Sequence, residues 1–203
     1  MRKRAALCFF LVSLALALSS CGPGTLSPQD YQELVVSTLQ GGELEKDLPP
    51  FPGLIPSVKA FFDALYCAES NCTIPYEMSY AATIAERKMF DISMYSGKLC
   101  NNKKVRPPQE LEPVHEQICK VLDRIRAKMD GIKITATMAA QVFAQSMSDP
   151  PALERVAQSY SAKIMERREE IVEALRELRA IDWLAPAFED VKGKIPELLT
   201  ETE

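Results

Sequence analysis

Leu111, Val114, Ile118, Val121, Ile125 and Met129 recur at steps of three and four residues. That period puts them on one face of an α-helix; a strand, whose side chains alternate, could not bury them together. The same period returns along the chain. Tyr31, Leu34, Val35 and Leu39 form a stripe behind Ser27-Pro28-Gln29-Asp30, where Ser27 can cap, Pro28 fits the first helical position and Asp30 suits the positive end. Leu54, Ile55, Val58, Phe61, Phe62 and Leu65 predict a second helix to about residue 68. Met78, Ala81, Ala82, Ala85, Met89, Ile92 and Leu99 predict a third, whose small residues suit a close helix–helix approach. Leu153, Val156, Tyr160, Ile164, Ile171, Leu175 and Leu178 mark a long helix over about 150–181, opened by a cap and two prolines in "SDPP". No alternating run of useful length occurs. The chain therefore reads as all-α, an irregular antiparallel bundle of six or seven helices.

Breakers set the joints. Gly41-Gly42 stop the first helix, and Pro49, Pro50 and Pro52 exclude regular structure from the joint after it. "NNKKVRPP" is a loop, and Asp130-Gly131 is expected to end the helix that begins near Leu111. The next segment, "ITATMAAQVFAQSMS" over 134–148, holds no charge. Met138 and Val142 fall on one face and Ala136, Ala139, Phe143 and Met147 on another, which predicts a central helix buried all round. It is too short to span a bilayer. On the long helix after residue 150, Glu166, Arg167, Arg168, Glu169, Glu170, Glu173, Arg176 and Glu177 make a mixed-sign face expected to meet water. Pro186 and Pro196 break the tail, which is expected to fray beyond about 197.

The N-terminus carries a different signal. Arg2, Lys3 and Arg4 precede a stretch from Ala5 to Leu18 that is apolar apart from Ser13. As a helix this stretch would span about 21 Å, against about 30 Å of bilayer hydrocarbon, so export and cleavage fit better than a permanent span. Leu18-Ser19-Ser20-Cys21 resembles the lipobox of bacterial lipoproteins. The resemblance implies diacylglyceryl transfer to the Cys21 sulfur, cleavage before it and acylation of the new amino terminus. Two or more acyl chains anchor firmly where one anchors marginally. Gly22 stands where an inner-membrane retention Asp would be in enteric relatives, which implies the outer membrane, facing the periplasm. Gly22-Pro23-Gly24 supplies a flexible tether. A plain signal peptide with Cys21 as a spare thiol is the alternative. The expected division is a signal peptide over 1–20, a lipid-anchored tether over 21–27, one helical domain over 28–197 and a frayed tail over 198–203. Losing the three basic residues of the signal takes the formal charge from −4 to −7. An acidic chain of this kind argues against nucleic acid as partner.

Export gives the cysteines a meaning. With Cys8 removed and Cys21 lipidated, Cys67, Cys72, Cys100 and Cys119 are left in an oxidising compartment. Three pairings are open. A helix over about 77–99 would be roughly 34 Å long and would hold Cys72 and Cys100 apart. Cys67–Cys72 and Cys100–Cys119 are therefore favoured. A metal site built on Cys67-x₄-Cys72 with His115 or Cys119 has no strong zinc spacing. Asn71-Cys72-Thr73 is formally a glycosylation sequon, a coincidence in a bacterial lipoprotein.

Chemistry finds little footing. His115 is the single histidine, and no Gly-rich phosphate loop, paired-histidine motif or nucleophile elbow is present. A His with a Met across the bundle resembles the axial pair of haem-b four-helix cytochromes, yet methionine is ordinary core filler and no cofactor is expected. Two partner-facing candidates stand out. Lys103, Lys104 and Arg106 form a basic loop that could touch anionic lipid or a partner, or simply be solvated. Trp183 and Phe188 either anchor another protein or close one end of the bundle, the commoner fate of such residues. The expected function is a non-enzymatic lipoprotein that binds or scaffolds another envelope component. A carrier of a small apolar ligand is the alternative, and an envelope enzyme comes third.

Overall fold

The computed structural model describes residues 25–41, 52–65, 75–103, 105–146 and 148–191. Among them lie five α-helices: α1 Pro28–Gln40, α2 Leu54–Ala64, α3 Pro75–Cys100, α4 Glu112–Ser146 and α5 Pro150–Arg179. Two 3₁₀ segments, Gln109–Leu111 and Asp182–Val191, precede α4 and follow α5. The described residues contain no strand, so the all-α bundle expected from the period is the fold. None of these helices is long and apolar enough to cross a membrane.

Local chemistry sets the helix ends. The Ser27 hydroxyl accepts from the Asp30 N–H at 3.1 Å, and Pro28 occupies the first turn of α1. Asp149 caps α5 in the same way, accepting from Ala152 N–H at 3.2 Å. Gly41 closes α1 at φ +88°. Gly53, at φ +79°, opens α2 directly against that turn. A Cβ on Gly53 would come within 2.3 Å of the Gly41 nitrogen, so only glycine lets the two helix ends meet.

The long helices α3, α4 and α5 form the frame, with α4 in the middle against both others. At 1.5 Å per residue α4 is about 52 Å long. Arg124 pairs with Glu177 and Lys128 with Glu170, while Arg167 reaches Thr135, so α5 runs antiparallel to α4. The core draws Ile118, Val121, Leu122, Ile125, Met129 and Ile132 from α4, with Ile92 and Leu99 from α3 and Ile164, Ile171, Leu175 and Leu178 from α5. The short α2 adds Leu54, Ile55, Val58, Phe61 and Phe62, and α1 adds Tyr31, Val35 and Leu39.

Three expectations change. Asp130-Gly131 does not end a helix: α4 continues to Ser146. A glycine inside a helix costs about 1 kcal/mol relative to alanine. The buried stripe runs on through Met129, Ile132, Ala136, Ala139 and Phe143, and packing of that stripe outweighs the local cost. Second, segment 134–148 is not buried all round. Ile134 is 48% and Met138 50% exposed, because α4 is covered by neighbours on two sides and the third side is open. Third, the charged face of α5 is only partly solvated. Arg168 lies 4.8 Å from the Phe62 ring centroid, and Arg167, Glu170 and Glu177 engage α4.

Candidate functional site

At one end of the bundle the α3–α4 loop is closed covalently. Cys100 and Cys119 are at disulfide distance, with Cα atoms 5.7 Å apart, matching the expected pairing. One turn before Cys119 on α4 stands His115. Its Nε2 lies 3.7 Å from the Cys119 sulfur and its Nδ1 2.9 Å from the Tyr31 hydroxyl. A disulfide sulfur can only accept, so Nε2 carries the hydrogen and Nδ1 accepts from the phenol. Both imidazole nitrogens therefore have protein partners. The pair joins residues 84 apart in sequence and pins α1 to the start of α4.

Burial sets the charge state of this pair. It pushes the Tyr31 phenol up to about 12, so the hydroxyl keeps its proton. It also pushes His115 below the usual histidine range, while the neighbouring Glu116 carboxylate pulls the other way less strongly. A neutral phenol donating to a neutral imidazole is a structural clasp.

Trp183 packs on the same clasp, its ring centroid 6.2 Å from that of Tyr31 in an edge-on arrangement. It is half-buried. Phe188 is 1% exposed and belongs to the core with Leu184 and Ala187. As a surface anchor Phe188 is therefore corrected: the 3₁₀ winding of Asp182–Val191 turns it inward to close this end of the bundle. Lys103 and Arg106 are exposed on the α3–α4 loop. Cys21, Cys67, Cys72 and Lys104, the sequon at Asn71 and the tail after 197 lie outside the described residues.

The other half of the frame holds a feature the sequence reading missed. An open crevice of about 760 Å³ runs between α3 and α4. Ala82, Ala140 and Ala144 keep its walls low, and Ser79, Thr83, Glu86, Lys133, Thr137 and Gln141 give it a polar lining. Large apolar side chains stand exposed beside it. Phe90 is 69% exposed and lies one turn beyond Glu86, with Met94 one turn further. Ile134 and Met138, also one turn apart, flank Thr137 on α4. The signal was present in the sequence. Phe90 is out of phase with the Met89–Ile92–Leu99 stripe, and the charge-free segment 134–148 has more apolar residues than one buried stripe can hold.

Among the described residues no group of three or more His, Cys, Asp or Glu is placed to hold a metal ion. Compared with known protein families, with curated proteins and with solved structures, the chain matches none.

Proposed function

We propose that this protein is a membrane-anchored lipoprotein whose helical body binds or scaffolds another component of the cell envelope without catalysing a reaction. The lipobox-like segment ending at Cys21 supports the anchor. The observation that carries the binding role is the outward face of α3 and α4, where Phe90, Met94, Ile134 and Met138 stand exposed around an open crevice. Single exposed apolar residues are ordinary; two helical pairs on adjacent helices are a surface that a partner would cover. The clasp at the other end holds a rigid frame behind that surface.

A carrier role is the second reading, favoured by a crevice volume within the range of small-molecule sites. Its polar lining would leave hydroxyl, amide and charged groups unmatched against an apolar ligand.

The test is photocrosslinking in cells. A crosslinking residue in place of Met138 or Phe90 is expected to give a discrete adduct, and one in place of exposed Gln158 on α5 is not. Changing Cys21 to Ser is expected to release the protein from membranes and remove the adduct. Equal, diffuse labelling from all three positions would leave the binding role without support, and native mass spectrometry showing a bound lipid would shift the reading to the carrier.

A further inference from the structure

The end of the stretch expected to be the tether is tied to the α3–α4 loop: the Leu26 N–H donates to the Arg106 carbonyl at 3.1 Å. The same loop is braced by Val105 N–H to Asn102 carbonyl at 2.9 Å, by Asn101 N–H to Gly97 carbonyl at 3.1 Å, and by the Cys100–Cys119 link at its ends. Lys103 sits within the Asn102–Val105 turn and Arg106 beside it, both exposed and neither ion-paired among the described residues. From Cys21 to Leu26 the chain can reach at most about 17 Å even when fully extended. The basic turn is thus held near whatever surface holds Cys21.

We propose that Lys103 and Arg106 seat against anionic lipid headgroups and act as a second, electrostatic contact that stands the bundle on its clasped end. The proposal rests on the lipid-anchor reading. Among the described residues no ion pair links an acid at this end to Lys103 or Arg106. Asp30 accepts from the Ser27 hydroxyl at 2.6 Å in the first turn of α1, and Glu110 and Glu112 lie in the first turns of the 3₁₀ segment and of α4, where the helix dipole favours negative charge. The cations are left facing outward, and basic groups beside an acyl anchor add to membrane binding through the surface potential. Orientation follows. Along α3 it is about 25 Å from Cys100 back to Thr83 and about 15 Å to Phe90, so the crevice is carried away from the bilayer, where a partner can reach it.

Trp183 is the single tryptophan and packs on Tyr31 at the clasped end, so it is a native reporter. The full lipidated protein is reconstituted into vesicles carrying a dansyl-labelled headgroup, made either from phosphatidylcholine or with about a third phosphatidylglycerol. Energy transfer from Trp183 is expected to be about twofold greater in the anionic vesicles, and to fall to the neutral level at high salt. K103E/R106E is expected to abolish the difference while still floating with the vesicles. A wild-type protein that fails to float refutes the anchor reading itself. A protein that floats but shows equal transfer in both vesicles, at every salt concentration, overturns the proposal and leaves the turn to a protein partner or to water. The salt series on the wild-type chain decides the matter even if the double variant does not fold.

Discussion

The Arg167 guanidinium lies against Gly131 and donates to the Thr135 hydroxyl at 2.6 Å. A Cβ on residue 131 would meet Arg167 Nε at 2.9 Å. The glycine that sequence reading takes as a helix stop instead lets an arginine of α5 cross α4. The Thr135 hydroxyl itself donates to the Gly131 carbonyl at 2.7 Å, so the three residues form one contact.

Gly131→Ala removes a helix penalty of about 1 kcal/mol but displaces Arg167 from a hydrogen bond of about the same worth. The single substitution is expected to change stability little. In an Arg167→Ala background it should stabilise by about 1 kcal/mol. Urea unfolding of the four proteins of the cycle measures the difference, and strict additivity would contradict the crossing.

Gly53→Ala should destabilise by at least about 2 kcal/mol, because the position has φ +79° and the added carbon strikes the backbone of Gly41. Thermal melts followed by circular dichroism suffice. An unchanged midpoint would mean that the ends of α1 and α2 do not meet as described.

Replacing Cys100 and Cys119 by Ser together opens a loop with a sequence separation of 19 and is expected to cost about 3 kcal/mol. On reduction the melting temperature of the oxidised wild type should fall at least as far as that of the double variant. A wild type insensitive to reductant would count against the link.

His115 makes stability depend on pH in a definite direction. Its folded-state affinity for a proton is lowered, so the unfolded chain binds the proton first as pH falls. Stability from this group is present above the ordinary histidine range and is lost as pH drops through it towards the lower folded-state value. The melting temperature should fall between pH 7 and pH 5.5, and His115→Gln should flatten that slope. A steeper slope in the variant would reverse the assignment of a neutral imidazole.

Met138→Glu, on the exposed side of α4, should leave stability within about 0.5 kcal/mol while removing any crosslink at Phe90. A large loss of stability would show that the side chain is buried in solution.

The helical stripes of α1, α2, α4 and α5 were legible because each is a local repeat whose period reports one buried face. Capping by Ser27 and Asp149 was legible for the same reason, since the cap and its partner are three residues apart. Helix length set Cys72 apart from Cys100 and so favoured the Cys100–Cys119 pairing. The clasp was not legible: Tyr31 and His115 are 84 residues apart, and nothing local distinguishes a tyrosine in a stripe from one that meets an imidazole.

What the sequence determined by itself is therefore the helical class and most helix boundaries. Tertiary structure decided that α4 runs through Gly131, that Phe188 turns inward, and that Ile134 and Met138 face out. The reason is that periodicity tells how many faces of a helix are apolar, whereas only the placement of neighbouring helices tells which of those faces is covered.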